Sequence, residues 1–260
     1  MRYKQILLGL ILFVLLGGFL QITGKFHFFY IEQLQLFQFS EDYLADKISS
    51  PGGLSLIIGE FLTQFFITPY AGPFIIAAIL TSIGLTMREI ILQINPNKEL
   101  FLLYLLPVLF LLLIQYDFNY LVQGTIAFLF CLISLNAWMR IKGLISLNAW
   151  MRIKDPCYRL SAALVITPLL FWIGGPIAGL FSLSVVLKEA ISRSKQGFYF
   201  LAVLIEYLFI GIGSVWSTTI TSYRFAFLPD AFYHPILAAP NLIYFAWVCL
   251  PLSLIGAFVY

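Results

Sequence analysis

The sequence predicts an all-α protein, a polytopic membrane helix bundle, and three observations support this fold class. Of the 260 residues, 61% are hydrophobic and only 10% are charged, whereas soluble domains carry about 25% charged residues. Apolar runs of about 20 residues, the length that crosses a bilayer, recur along the chain. The 14 tyrosines and 5 tryptophans are of the type that collects where a membrane meets water. Such a composition suits a lipid-facing surface and excludes a nucleic-acid-binding face, which needs a basic patch on a soluble domain.

We predict eight or nine spans, one of them a possible re-entrant segment, in a single integral membrane domain over residues 1–260. The apolar runs are residues 6–22, 54–68, 74–91, 100–115, 120–138, 160–173, 176–187, 198–216 and 242–260. The last run ends at Tyr260 with no basic residue after it. This ending favours a chain that is a fragment of a longer protein.

The first apolar run follows Arg2 and Lys4 and is typical of an uncleaved signal anchor, because no small-x-small cleavage site comes after it. We therefore expect a multi-pass protein of the bacterial inner (cytoplasmic) membrane with its N-terminus in the cytoplasm. Most of the other basic residues fall in three short loops, before residue 100, between residues 138 and 160, and before residue 198. The excess of Lys and Arg in cytoplasmic loops predicts that these three loops also lie in the cytoplasm.

Residues 25–52 form the first long polar segment, and they mix Phe, Tyr and Leu with four acidic side chains. The segment is too polar to span a membrane and too aromatic for a free loop. We expect an interfacial helical loop on the outer membrane surface, directly after the first span.

The segment 54–68 is the uncertain element of this topology. It is fifteen residues long, carries Glu60 and Gln64, and is bounded by Pro and Gly. A full crossing would put the basic loops outside if the N-terminus is inside. A re-entrant segment, which enters and leaves on one face, removes the conflict but must be buried in protein or line a cavity. The alternative is an N-terminus outside, against Arg2 and Lys4.

The sequence LISLNAWMRIK occurs at residues 132–142 and again at 144–154. Two copies of eleven residues are too short and too few for a solenoid, so a tandem duplication is the simpler interpretation. We expect residues 139–159 to form a cytoplasmic basic loop that contains this duplication. We assign the duplication no function.

Several motifs near the N-terminus resemble a family of bacterial polytopic membrane proteins classed only as a domain of unknown function. The motifs are FHFFYIEQLQLF (26–37), PGGL (51–54) and FLTQFF (61–66), followed by the turn Tyr70-Ala71-Gly72-Pro73. The resemblance implies a multi-span protein without an established activity. A looser likeness is to membrane glycosyltransferases of the GT-C type. These place acidic catalytic residues in the first outer loop, where Glu32 or Asp42 would match.

The candidate site residues are the acidic groups near or inside the membrane and one loop arginine. Acidic groups of the first outer loop suit a general base or a metal ligand, which makes Glu32, Glu41 and Asp42 the candidate catalytic residues. Intramembrane carboxylates usually face a cavity or a partner, and arginine suits phosphate. The candidate substrate-binding residues are therefore Glu60, Gln64, Glu206 and Arg224. Each candidate also has an interpretation without a functional role. The acidic loop residues would form a solvated helix face, and the intramembrane carboxylates would make structural hydrogen bonds. Arg224 would be an anchor whose charged end reaches the membrane surface. The Cys and His spacing indicates no metal site. The sequence does not identify a cofactor.

Three functions remain open from the sequence alone. The first is an enzyme that contacts membrane lipid and acts on a lipid-linked or envelope-glycan substrate. The second is a transporter or flippase that uses Glu60 and Glu206 as proton-coupling groups. The third is a non-catalytic structural membrane subunit.

Overall fold

The computed structural model describes residues 2–96, 98–147, 155–192, 197–234 and 239–259, and the all-α fold class is confirmed. The structure is 83% helical. Within the described residues the α-helices are α1 (Arg2–Thr23), α2 (Lys25–Leu34), α3 (Glu41–Ser49), α4 (Gly53–Thr63), α5 (Ala71–Ile94), α6 (Phe101–Ile114), α7 (Val122–Leu147), α8 (Asp155–Gly174), α9 (Ile177–Ile191), α10 (Leu201–Trp216), α11 (Tyr223–Phe227) and α12 (Asn241–Val259). Short 3₁₀ helices cover Gln64–Ile67, Gly197–Phe200 and Pro229–Phe232.

In the described part of the chain, six helical stretches are long and apolar enough to cross a membrane, as expected of a multi-pass membrane protein. They are Gln5–Thr23, Ala71–Ile94, Val122–Ile141, Cys157–Gly174, Gly197–Trp216 and Asn241–Val259. The shorter apolar helices are Gly53–Ile67 and Phe101–Ile114.

Helix α7 lies at the centre of the bundle, and α1 and α10 lie at its edge. In the apolar stretch of α7, 67% of the residues are buried, compared with 22% in the apolar stretch of each edge helix. The buried residues of α7 include Phe128 and Trp138. The edge helices expose Leu, Val and Phe side chains, which suits a lipid surface.

Consecutive long helices run antiparallel, and this gives the bundle two chemically different ends. The start of α1 meets the end of α5, where Gln5 donates to Glu89 at 3.0 Å. At the same end, Arg88 pairs with Glu99 and the Trp138 indole donates to the Arg159 carbonyl at 3.0 Å. This basic end carries the described residues Arg88, Arg140, Arg159 and Lys188. The opposite, acidic end carries Glu41, Asp42, Asp46, Asp117 and Asp230.

Both ends of the segment 54–68 lie at the acidic end. Before α4, the Gly52 amide donates to the Trp172 carbonyl at 2.9 Å, at the last turn of α8. After α4, Phe66 packs edge-on against Phe28 with ring centroids 5.4 Å apart. Helix α2 begins at Lys25, two residues after α1 ends, so Phe28 lies at the acidic end.

The polar segment 25–52 consists of two helices, α2 and α3, with a non-helical stretch between them. Helix α2 packs on the bundle, since His27, Phe28 and Ile31 are buried. Helix α3 has no buried residue. Its attachment to the bundle includes a hydrogen bond of 2.7 Å from the Trp172 indole to the Ile48 carbonyl.

Helix α7 continues to Leu147 and α8 begins at Asp155, so part of the expected basic loop 139–159 is helical. The first copy of the duplicated sequence, 132–142, lies within α7. The second copy, 144–154, lies mostly outside the described residues.

Candidate functional site

Glu60 is the best-enclosed of the candidate carboxylates at the acidic end. It lies on α4, is only 9% exposed, and accepts a short hydrogen bond from the Tyr43 hydroxyl of α3. One turn further along, the buried Thr63 hydroxyl donates to the Glu60 carbonyl at 2.9 Å. Burial, together with the hydrogen bond and charge of Glu60, raises the pKa of Tyr43 above its ordinary value. Tyr43 therefore stays protonated and remains a hydrogen-bond donor.

Glu60 borders a cavity of about 460 Å³ that opens at the acidic end. The apolar part of the lining includes Leu56, Ile220 and Phe225. The polar side chains of the lining are Lys47, Glu60, Gln123, Thr219, Thr221 and Tyr233. This volume lies within the range of small-molecule sites, which are mostly apolar with a few polar groups that orient the ligand.

Two glycines allow α4 to pack closely against α7 beside this cavity. A Cβ atom on Gly59 would lie 3.0 Å from the backbone nitrogen of Gln123. Gly52 adopts a left-handed conformation with φ of 79°, and its carbonyl accepts from the Gln123 side chain at 3.2 Å. The sequence PGGL therefore makes the turn that brings α4 and Glu60 against the first turn of α7.

Lys47 contributes a positive charge to the lining of the same cavity. Its ammonium lies 5.5 Å from the centre of the Tyr43 ring, and that ring carries the hydroxyl bonded to Glu60. Tyr43 and Lys47 are four residues apart on α3, so they lie on the same face of the helix. The spacing alone could have indicated this shared face, although it gives no sign that the face meets α4.

The candidate catalytic residues of the first loop lie outside the cavity. Glu41 and Asp42 are exposed in the first turn of α3, where negative charge stabilises the helix dipole. Glu32 is half-buried on α2, and none of the three is in the lining of the cavity. Gln64 lies just past α4 and donates to the Phe37 carbonyl at 3.4 Å, so it holds the 35–40 stretch.

Arg224 pairs with a buried acid. Its Nε donates to Asp230 Oδ1 at 2.6 Å, its Nη2 contacts the same oxygen, and the Tyr244 hydroxyl donates to the second carboxylate oxygen. Asp230 is 3% exposed, and its charge and hydrogen bond raise the pKa of Arg224. The donors that would hold a phosphate are thus occupied by Asp230.

Glu206 lies in the middle of α10 and away from the other candidates. It is half-buried, and its Oε2 atom is enclosed with no hydrogen-bond partner among the described residues. It is absent from the lining of the 460 Å³ cavity. The structure thus brings Glu60 together with Tyr43, Lys47 and Gln123, and it leaves Glu206 and Arg224 elsewhere.

No group of His, Cys, Asp and Glu side chains in the described part of the chain is arranged to hold a metal ion. No curated protein and no solved structure matches the chain. A family model matches residues 2–260, which is nearly the whole sequence. This match confirms the expectation that the chain belongs to a family without an established function. The chain belongs to a family of unknown function (DUF6057).

Proposed function

We propose that this membrane protein binds the polar part of a lipid-linked substrate in the cavity at the acidic end, with Glu60 as its acid–base group. The observation that carries the proposal is the cavity itself, which joins a buried carboxylate and an ammonium to an apolar wall. An amphiphile needs both kinds of lining. In a bilayer crossed by these helices, the helix ends around the cavity would lie at the depth of the lipid headgroups.

The proposed topology has eight crossings, made by α1, α5, α6, α7, α8, α9, α10 and α12. In this arrangement the segment 54–68 does not cross but enters and leaves at the acidic end. The basic end then faces the cytoplasm of a bacterial inner membrane, in agreement with the positive-inside rule. The cavity would open on the outer face, where envelope glycans are assembled on lipid carriers.

The chemistry proposed for the site follows from its three polar groups. A carboxylate next to a substrate hydroxyl can accept its proton as a general base. The Lys47 ammonium can neutralise a phosphate oxygen of the carrier, and Tyr43 orients the Glu60 carboxylate by its hydrogen bond. Glu60 takes the catalytic role in this proposal instead of Glu32, Glu41 or Asp42, because those three lie outside the cavity.

The test compares Glu60→Gln with the double substitution Glu41→Ala and Asp42→Ala. Glu60→Gln keeps the size of the side chain and a hydrogen-bond acceptor but cannot take up a proton. We expect cells carrying Glu60→Gln to lose an envelope-glycan phenotype at normal protein level, and cells carrying the double substitution to keep it. The opposite pattern would assign the catalytic role to Glu41 and Asp42 on the surface of α3. Normal glycan in both would favour a structural subunit without catalysis.

A second candidate function, a transporter or flippase, has one observation in its favour. The enclosed Oε2 atom of Glu206 lacks a partner among the described residues, and ionisable side chains inside membrane spans are often part of proton relays. Such a group can carry a proton across the bilayer. Substrate flipping or uptake that is unchanged in Glu206→Gln would remove this function.

A further inference from the structure

A buried cluster at the basic end joins α7, α8 and α9. The Arg159 guanidinium, on α8, lies 4.3 Å from the centre of the Trp138 ring. Its Nη1 contacts Glu189 Oε1 at 2.8 Å, and the side chains of both partners are at most 7% exposed. The Lys188 ammonium contacts the same carboxylate oxygen at 2.7 Å.

One edge of this guanidinium has no acceptor. The Nε and Nη2 atoms of Arg159 are both enclosed, and neither has a hydrogen-bond partner in the described part of the chain. These two nitrogens form a planar fork, the edge that takes two oxygens of a phosphate or carboxylate side by side. The two donors without acceptors can therefore bind two oxygens of one group at the same time.

Two other arginines show what this fork does when protein acceptors are present. In Arg140, Nε donates to Asn136 at 3.2 Å and Nη2 donates to Glu89 at 2.6 Å. In Arg224, the same two nitrogens contact Asp230. Both of these side chains are more than 45% exposed. Arg159 is the more deeply buried, and a buried charged donor without an acceptor is the costlier arrangement.

We propose that the Arg159 fork binds two oxygens of a phosphate group at the basic end of the bundle. The ring of Trp138 lies against the guanidinium, and Glu189 holds its third nitrogen, so the fork is fixed in orientation before a ligand arrives. Basic side chains clustered between membrane helices on the cytoplasmic side suit anionic headgroups. The phosphate belongs either to a lipid headgroup or to a soluble phosphate compound. This site is independent of the cavity at the acidic end.

The test measures binding to the full-length protein, stripped of lipid in a neutral detergent, by native mass spectrometry and by ligand-induced thermal shift. The probes are phosphatidylglycerol for the lipid source and inorganic phosphate for the soluble source, with chloride at equal ionic strength as the blank. The test variant is Arg159→Lys, which keeps the charge but loses the fork. The control is Arg140→Lys, whose fork is filled by Asn136 and Glu89.

We expect saturable binding of at least one probe to the wild type, about tenfold weaker binding to Arg159→Lys, and unchanged binding to Arg140→Lys. Binding of the lipid alone identifies a headgroup site, and binding of inorganic phosphate identifies a soluble ligand. If Arg159→Lys fails to fold, Glu189→Gln serves as the second variant. It leaves the fork intact, so saturable binding of a probe must persist in it. Absence of saturable binding to the wild type, or equal affinity in Arg159→Lys, would overturn the proposal.

Discussion

Three carboxylates that lie at most 9% exposed each contact a specific side chain. Glu60 accepts from Tyr43, Asp230 from Arg224 and Glu189 pairs with Arg159. A charge taken out of water is costly unless it is paired or hydrogen-bonded. Each partner lies on a different helix or turn from its acid, so every pair also fixes the position of one element against another.

Arg224→Ala is expected to lower the temperature of thermal unfolding, because it leaves the buried Asp230 without its cationic partner. The measurement is the melting of the detergent-solubilised protein. In an Asp230→Asn background the same Arg224→Ala change should cost much less, since no charge remains to be paired. Equal losses in both backgrounds would mean that Arg224 stabilises the fold without its ion pair.

His27 gives the fold a dependence on pH. Burial lowers the pKa of His27 below its ordinary value of 6.5, against the opposing effects of a hydrogen bond with the Gln115 backbone and the charge of Asp117. The folded state then binds fewer protons than the unfolded state just below pH 6.5. The stabilising contribution is therefore present above pH 6.5 and is lost as the pH falls from there through the lowered pKa.

The check is the melting temperature of the wild type and of His27→Phe between about pH 7.5 and pH 5. A phenylalanine keeps the ring that packs 4.5 Å from Phe118 but does not titrate. We expect the wild type to lose more stability on acidification than the variant. Parallel pH profiles for the two proteins would assign the acid sensitivity to another group.

At the scale of elements, the turn between α3 and α4 is tightly constrained. A Cβ atom on Gly53 would lie 1.7 Å from the Lys47 carbonyl oxygen, so only glycine fits without moving the backbone. This turn joins the helices that carry Lys47 and Glu60, which both line the cavity.

Gly53→Ala is expected to reduce both the yield of monodisperse protein and its melting temperature, since one of the two helices must shift. Gly213→Ala is the matched control, because a Cβ atom there meets nothing within 4 Å. An alanine in place of glycine inside a helix normally stabilises it by about 0.5–1 kcal/mol. Equal behaviour of the two variants, measured by size exclusion and thermal melting, would contradict the constraint at this turn.

The long helices could be predicted from the sequence because a span is a local property of hydropathy. The run 160–173 corresponds to the greater part of α8, and the run 242–260 to α12. The prediction failed to extend α7 to Leu147, since the basic residues after 138 also suit a cytoplasmic loop.

The candidate site could be predicted only in part. Glu60 is recognisable as a carboxylate in an apolar segment, which needs no knowledge of its neighbours. Its surroundings depend on distant contacts, such as Gln123 with Gly52 and Trp172 with Ile48. Nothing local marks these pairs, and the pairing of Arg224 with Asp230 was missed although only six residues separate them.

At the scale of the whole molecule, the central expectation is that the segment 54–68 stays on one face. Single cysteines at Ser49→Cys and Thr68→Cys, in a background without Cys131, Cys157 and Cys249, should react with a membrane-impermeant maleimide from the same side. The native Cys157 is exposed and lies at the basic end, so alone it should react from the opposite side. Labelling of positions 49 and 68 from opposite sides would mean that the segment crosses.

The position of α1 at the edge of the bundle has a consequence for how the protein is made. Helix α1 packs mainly against α5, which is complete only after residue 94 leaves the ribosome. At about 5–20 residues per second, α1 waits roughly 4–14 s in the bilayer before its neighbour exists. Its apolar residues and internally bonded backbone let it persist alone during this delay. Helix α1 can therefore hold the growing chain in the membrane before it packs against another helix.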